Sequence, residues 1–383
     1  MKVDLKVDEI KSNKNILVLT TFYPPASGGI QTYSYEIVKN LVKLGCEVTT
    51  FALTSDGIKS IFSSPSFKIY KNNKKNSLKK IFSKFDVIFV TSWFPIAIFG
   101  LFLSKLFSSK LFIVAHGNEI LYPKKYPLLS YLMKICFRNA YQIIAVSSYT
   151  KSLLENIGVE EKKIAVIPNG TNPDQFCPDV KFDDIKKRYN LENKKIIFSL
   201  SRLVERKNFG IVIESMIEIL REVSNVVYII AGEGPMKDKW IKLAIENGVK
   251  DQVIFAGYIS DKELPKYYTM CDVFVLPSKE IIKKDEVEGF GITLLEANAC
   301  GKPVVGGRSG GIEDAIVDGK TGILVNPKDK NEVKTAILKI LKNPSFAKTL
   351  GRNGRKRIEK ELSWIKVTKK IKKQIFERRS YIG

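Results

Sequence analysis

A chain of 383 residues exceeds what one hydrophobic core usually serves, so two domains are expected. With 44% hydrophobic and 27% charged residues it has the composition of an ordinary globular protein, neither disordered nor fibrous. The formal charge of +23 would suit nucleic acid, but the excess is shared between the halves (+11 over residues 1–175, +12 over the rest) and no nucleic-acid motif accompanies it, leaving an anionic membrane surface, phosphorylated substrates or a lysine-rich solvated face.

The opening segment, MKVDLKVDEIKSNK, has no apolar run, so no cleaved signal is expected. From there short apolar runs alternate with longer amphipathic ones, the pattern of a doubly wound, mostly parallel sheet. NILVLT, EVTTFAL, FKIY, DVIFV, KLFIVA, YQIIAV and KIAVIP are the expected strands, with helices over Ile30 to Leu44, Lys124 to Asn139 and Ser148 to Ile157. Val87 to Ser104 runs without a charge for the length of a short membrane span, but Pro95 divides it, so strand, turn and helix are expected there instead. Pro168 to Lys181 (PNGTNPDQFCPDVK) is rich in proline and poor in apolar periodicity and is expected to be a linker. KIIFSL, NVVYIIAG, QVIFAG, DVFVLP and KPVVGG then repeat the scheme, and a basic helix, SWIKVTKKIKKQIFERR, follows. The cysteines, at 46, 136, 177, 271 and 300, form no C-x-x-C pair, which suits a reduced, cytosolic chain without structural zinc.

Two α/β domains joined in this way leave a cleft at the carboxyl ends of both sheets, so chemistry should lie in post-strand loops. After NILVLT come Gly28 and Gly29 at a helix start, where backbone can approach a bound group. Their spacing is not G-x-G-x-x-G, and the near miss at Gly232-Glu233-Gly234 has Lys237 in the third position, so a nicotinamide or flavin site is not expected. After KLFIVA stands His116, the chain's single histidine, placed to exchange hydrogen bonds with a sugar hydroxyl. After KIIFSL, Arg202 and Lys207 flank a loop that opens a helix; a guanidinium grips phosphate bidentately and an ammonium adds a mobile charge. After QVIFAG, Tyr258 and Ile259 could wall a nucleobase or belong to the core. Finally EVEGFGITLLEANACGKPVVGGRSGG sets Glu288 and Glu296 eight apart around a glycine turn. The amides of Phe290, Gly291, Ile292 and Thr293 would suit a diphosphate, and the two carboxylates would meet hydroxyls.

These five loops in this order resemble the nucleotide-sugar-dependent, retaining glycosyltransferases of family 4, over nearly the whole chain from Tyr23 to the final helix. The most specific part is E-G-F-G-x-x-x-x-E, the family's E-x7-E signature, followed by A-C-G-K-P-V-V and S-G-G. The resemblance implies the GT-B fold: two Rossmann-like domains facing a cleft, 1–175 for the acceptor and 176–363 for the donor, with 364–383 crossing back to the first. It also implies roles. Gly29 lies by the diphosphate, His116 contacts the transferred sugar, Arg202 and Lys207 bind phosphates, Glu288 holds sugar hydroxyls and Glu296 the ribose. Within the family the sequence is most similar to mannosyltransferases acting on phosphatidylinositol lipids and to polysaccharide-building relatives, which makes GDP-mannose the favoured donor ahead of UDP-hexoses. Ile312-Glu313 in place of Pro-Glu, and Asn169-Gly170-Thr171-Asn172 in place of N-G-V-D, depart from many relatives. No D-x-D occurs, so a metal-independent hexosyltransferase is expected, with no cofactor beyond the donor co-substrate and with front-face attack. Its expected partners are a nucleotide sugar, a lipid-linked or saccharide acceptor and an anionic membrane, with no nucleic acid. It is expected in the cytoplasm, peripheral on the membrane's cytoplasmic face, where the basic, apolar stretches Lys71 to Lys84 and Leu121 to Arg138 would dock. The rival classes are an epimerase or hydrolase of sugar nucleotides, and a non-catalytic nucleotide-sugar-binding protein.

Overall fold

The computed structural model describes residues 14–24, 28–54, 57–63, 68–69 and 85–377. The stretch Lys71 to Lys84, the opening segment through residue 13 and parts of the FKIY run lie outside the described residues. The first half runs β1 (Asn15–Thr20), α1 (Gly29–Lys43), β2 (Glu47–Thr54), β3 (Gly57–Ser63), β4 (Lys68–Ile69), β5 (Val87–Val90), α2 (Ile96–Phe107), β6 (Lys110–Ala115), α3 (Asn118–Leu121), α4 (Pro127–Asn139), β7 (Gln142–Ala145), α5 (Ser148–Asn156) and β8 (Ile164–Val166). These strands form one sheet in the order β4-β3-β2-β1-β5-β6-β7-β8. It is parallel from β2 to β8, while β3 and β4 pair antiparallel at the edge. β1 and β5 are covered on both faces and are apolar almost throughout, as buried parallel strands must be.

The second half runs α6 (Asp183–Arg188), β9 (Lys195–Leu200), α7 (Gly210–Glu222), β10 (Val226–Ala231), α8 (Lys237–Glu246), β11 (Val253–Gly257), α9 (Leu264–Met270), β12 (Val273–Leu276), α10 (Ile292–Ala299), β13 (Val304–Gly307), α11 (Ile312–Ala315) and β14 (Ile323–Val325). Its parallel sheet is ordered β11-β10-β9-β12-β13-β14. Two strands were not expected from the sequence, β3 and β14. Each is an edge or near-edge strand whose apolar run is short or broken, so periodicity alone does not mark it. The apolar segment from Val87 divides as expected into β5, a turn and α2, and no helix among the described residues is long and apolar enough to cross a membrane.

Helix α12 (Lys330–Lys342) packs on the second sheet, α13 (Pro344–Arg357) packs on α10 and α12, and a single π turn, Ile358–Leu362, leads into α14 (Trp364–Phe376). This last helix buries Trp364, Val367, Ile371 and Ile375, a stripe of one-turn spacing, and sets Lys366, Lys369, Lys370 and Lys373 outward, while Lys372 donates to Leu44 O at 2.9 Å. It packs against α1, and Gln142 Nε2 donates to Gln374 Oε1 at 2.6 Å, so the chain does return to the first sheet. The return lies beside the outward crossing: Thr171 N donates to Leu362 O and Trp364 N to Thr171 O. The segment 167–182 carries no helix or strand.

Candidate active site

Each sheet reverses its strand order once, at β1/β5 in the first and β9/β12 in the second. At such points the loops leaving the carboxyl ends diverge and leave a crevice. The loops after β1, β5 and β6 meet those after β9, β12 and β13 across it. The faces are in contact: Val287 N donates to Asn118 Oδ1 at 3.1 Å, Tyr149 Oη to Glu280 Oε1 at 3.0 Å, and Lys125 lies 3.3 Å from Asp285.

Glu288 occupies the middle of this contact. The post-β9 loop is extended at Val204, makes one 3-10 turn over Glu205–Lys207 and leaves through Asn208 in the left-handed region (φ 58°). The Asn208 side chain donates to Pro277 O at 3.2 Å and Pro327 O at 2.7 Å, tying this loop to the one after β12. The turn aims both Arg206 and Lys207 at Glu288 Oε2. Burial alone would raise the Glu288 carboxyl, but the Lys207 and Arg206 charges outweigh it and hold it at about 2. Burial presses the Lys207 ammonium down to about 8 against the pull of Glu288, with Arg206 adding to the depression. The triad is therefore ionised at neutral pH.

His116 sits next to it. A Cβ placed on Gly289 would come within 2.0 Å of His116 O, so the Glu288-Gly289 turn reaches the histidine only because residue 289 has no side chain. His116 Nε2 lies 2.8 Å from Thr91 O, which can only accept, so Nε2 carries the hydrogen and Nδ1 is the free acceptor of the neutral ring. Burial lowers the His116 pKa, opposed by the Glu119 carboxylate and the Thr91 bond. Glu119 also takes the His116 backbone N–H at 2.5 Å. Thr91 is fixed in turn by its hydroxyl, which bonds Thr20 at 2.7 Å and Ser34 at 2.9 Å.

Two helix starts converge beside the triad. Gly291 caps α10 at φ 90°, a conformation that favours glycine. A Cβ on Gly29, the first residue of α1, would stand 3.6 Å from Ile292 Cδ1, so the positive ends of α1 and α10 face the same space. One turn into α10, Glu296 Oε2 accepts the Tyr268 hydroxyl at 2.5 Å. Burial lifts the Glu296 carboxyl to about 7; the Tyr268 bond opposes the rise and Asp261 adds to it.

The structure thus brings together Gly28, Gly29, His116, Lys207, Glu288, Gly291, Ile292 and Thr293 and, a turn further along α10, Glu296. Arg202 stands exposed two residues past the carboxyl end of β9, and the cation that joins Lys207 on Glu288 is Arg206, which the sequence reading passed over among the charges of a surface loop. Tyr258 is 71% exposed, while Ile259 is buried in the core together with the Phe290 side chain. Tyr268 was also missed, because a tyrosine in the apolar run PKYYTM is indistinguishable in sequence from its core neighbour Tyr267.

Comparison with known proteins places this geometry in context. Residues 27–175 match the family model Glycosyltransferase Family 4, and residues 181–357 match Glycosyl transferases group 1. A GDP-mannose-dependent alpha-(1-6)-phosphatidylinositol monomannoside mannosyltransferase of Mycolicibacterium smegmatis is 30% identical over 357 residues, which cover 89% of this chain and 92% of that one. Among solved structures, sucrose-phosphate synthase from Thermosynechococcus elongatus superposes with a TM-score of 0.75 at 24% identity, covering 94% of this chain and 98% of its own. Anabaena HepE in complex with UDP and glucose superposes at 0.74 and 18% identity, covering 94% and 99%.

Proposed function

The chain belongs to the glycosyltransferases of group 1 and family 4, and from that premise we propose that it transfers a hexose from a nucleotide sugar, GDP-mannose being favoured, to a lipid-linked or saccharide acceptor with retention of configuration. The observation that carries this reading is the juxtaposition of His116, the Arg206–Lys207–Glu288 triad and two helix starts in one crevice. The relative's dependence on GDP-mannose favours the mannosyl donor over UDP-glucose, UDP-galactose or UDP-GlcNAc.

In the proposed reaction the bond from C1 of the sugar to the β-phosphate oxygen breaks while the acceptor oxygen bonds C1 from the same face. The acceptor proton passes to the departing phosphate. Charge grows on that phosphate as the bond breaks, so the helix-end amides and the cations Lys207 and Arg202 gain interaction in the transition state. Arg206 has a separate use. If the diphosphate draws Lys207 away, Arg206 remains on Glu288 and keeps a largely buried carboxylate from standing unpaired. Glu288 and the Nδ1 acceptor of His116 then take hydroxyls of the sugar, and Glu296 those of the ribose. No metal enters this scheme.

A thermal-shift panel of GDP- and UDP-sugars tests the reading, because a ligand that binds only the folded state raises the melting temperature. No shift with any of them would remove the donor site. Turnover of donor with no acceptor dependence would favour a hydrolase instead.

A membrane-facing side also belongs to the proposal. Exposed Phe94, Ile98, Phe102 and Leu106 recur every four residues into and along α2, and Leu128 and Tyr131 stand exposed on α4, which packs beside it. Between residues 87 and 154 the only acidic residue is Glu119, against Lys105, Lys110, Lys124, Lys125, Lys134, Arg138 and Lys151. An apolar face bordered by cations suits an anionic bilayer surface. The row begins three residues after Thr91, whose carbonyl holds His116, so docking there would bring lipid acceptors to the crevice. Sedimentation with phosphatidylglycerol vesicles at low salt checks this: the wild type should pellet, and Phe102→Asp with Leu106→Asp should not.

A further inference from the structure

We propose that Tyr268 is a positioning residue of the donor site, its buried hydroxyl holding Glu296 as a charged, two-oxygen acceptor for the ribose diol of a nucleoside diphosphate. The inference rests on the donor reading above and adds to it a residue that none of the five sequence loops contains. Tyr268 is fully buried, wedged edge-on against Phe176 and Phe198 and tilted against Phe274. A ring fixed on three sides leaves its hydroxyl one direction, and that direction ends 2.5 Å from Glu296 Oε2. A phenol can donate one hydrogen only, so Oε1 and the second lone pair of Oε2 stay available for two hydroxyls of a ligand.

The position of Tyr268 in the chain connects ribose and base. Strand β11 ends at Gly257, Tyr258 follows in the open, and α9 carries the chain back beneath α10 to Tyr268. One β-loop-α unit therefore supplies both an exposed aromatic ring and the hydrogen that fixes Glu296. The charged and titratable groups around that carboxylate are few. Tyr268 faces it from α9 and Asp261 from the post-β11 loop, and the thiols of Cys271 and Cys300 lie behind the tyrosine. No cation is among the groups that shift Glu296, which distinguishes it from Glu288 with its two. Tyr268 is thus the group that favours the charged form, against burial and Asp261.

The consequence is a donor affinity that depends on pH through Glu296. Its carboxyl titrates at about 7, so the two-oxygen acceptor is present above that value and is lost as pH falls through it. Removing the Tyr268 hydroxyl takes away the bond that opposes the rise, so the midpoint moves to higher pH.

The test is calorimetric titration of the full chain with GDP, UDP and 2′,3′-dideoxy-GDP from about pH 5.5 to 9, on the wild type, Tyr268→Phe and Glu296→Gln. GDP affinity of the wild type should weaken roughly tenfold per pH unit below about 7. In Glu296→Gln only the dependence due to the ligand's own phosphate and to Lys207, which loses its charge as pH rises through about 8, should remain. Tyr268→Phe should keep near-normal affinity at pH 9 and bind about fivefold more weakly at pH 7. Dideoxy-GDP on the wild type should show no more pH dependence than GDP on Glu296→Gln, a comparison independent of how well Tyr268→Phe folds. A Tyr268→Phe midpoint equal to that of the wild type, or dideoxy-GDP following the wild-type GDP profile, overturns the role of Tyr268 and Glu296. Absence of binding by any nucleoside diphosphate at pH 8 removes the donor reading itself.

Discussion

Glu288 and Glu296 share a motif and a crevice, yet their surroundings push them apart. Both are desolvated; Glu288 has two cations and stays ionised, and Glu296 has only a tyrosine. An acid whose folded pKa is raised holds its proton between the unfolded value near 4.5 and the folded value near 7, so stability falls as pH rises through that window. Glu296→Gln should therefore unfold at higher urea than the wild type at pH 8, by about 2 kcal/mol after allowance for the partial exposure of the site, and should match it near pH 4.5. Equal stability at both pH values would show that Glu296 is not strained by burial. At the triad the asymmetry lies in what is left behind. Lys207→Met leaves Arg206 on Glu288 and should cost about 1–2 kcal/mol of folding stability, whereas Glu288→Met leaves two cations without their partner and should cost about 3–5 kcal/mol. Chemical denaturation of the two variants checks the order, and a costlier Lys207→Met would mean that Arg206 does not compensate.

At the scale of elements, α14 does most to join the two sheets. Its apolar stripe would be exposed if the chain ended at α13, and the face it covers on α1 includes Tyr33, whose ring lies edge-on to both Trp364 and His116 at 5.9 and 5.1 Å. Trp364 also fills the space over Gly170, where a Cβ would meet its ring at 3.0 Å. Trp364→Ala removes a ring that is 96% buried and should lower stability by about 3–5 kcal/mol in urea unfolding. A loss under about 1 kcal/mol would mean that α14 is held by its flanks rather than by this anchor.

Over the whole molecule, polar contacts cross the seam between the two sheets beside Val287, which is buried in the apolar core of the first half. Asp314 of α11 reaches across the seam, accepting from Ser148 N at 3.0 Å and Ser148 Oγ at 2.8 Å at the positive end of α5, while Arg357 holds the Asp314 backbone carbonyl at 2.8 Å. Exposed contacts of this kind contribute about 1 kcal/mol, enough to change a closed-to-open ratio roughly fivefold without affecting either core. Asp314→Ala should accordingly lower kcat/KM about fivefold and leave the melting temperature within about 2 °C. A large fall in melting temperature would make Asp314 part of the fold instead of part of closure. Thr171 pairs with the backbone at Leu362 and Trp364, so the two crossings between sheets run side by side.

The sequence by itself determined the parts that depend on neighbours in the chain. Alternating apolar runs dictate parallel strands, a proline-rich stretch dictates the break between them, and glycines at helix starts mark where backbone must turn or come close. That was enough for both sheets apart from β3 and β14 and for placing His116, Lys207, Glu288 and Glu296 in post-strand segments, while the glycosyltransferase family came from the resemblance of those segments, E-G-F-G-x-x-x-x-E above all. Tertiary structure decided which groups touch. Arg206 and Arg202 are equivalent in sequence, and only the 3-10 turn that ends at Asn208 selects Arg206 for Glu288. Tyr268 and Tyr267 are adjacent and both buried, and only the packing of α9 under α10 aims one hydroxyl at Glu296. The physical reason is range: propensity and periodicity act over a few residues, whereas the charge and the hydrogen bond that fix each carboxylate come from residues 81 and 28 positions away, brought near by the fold.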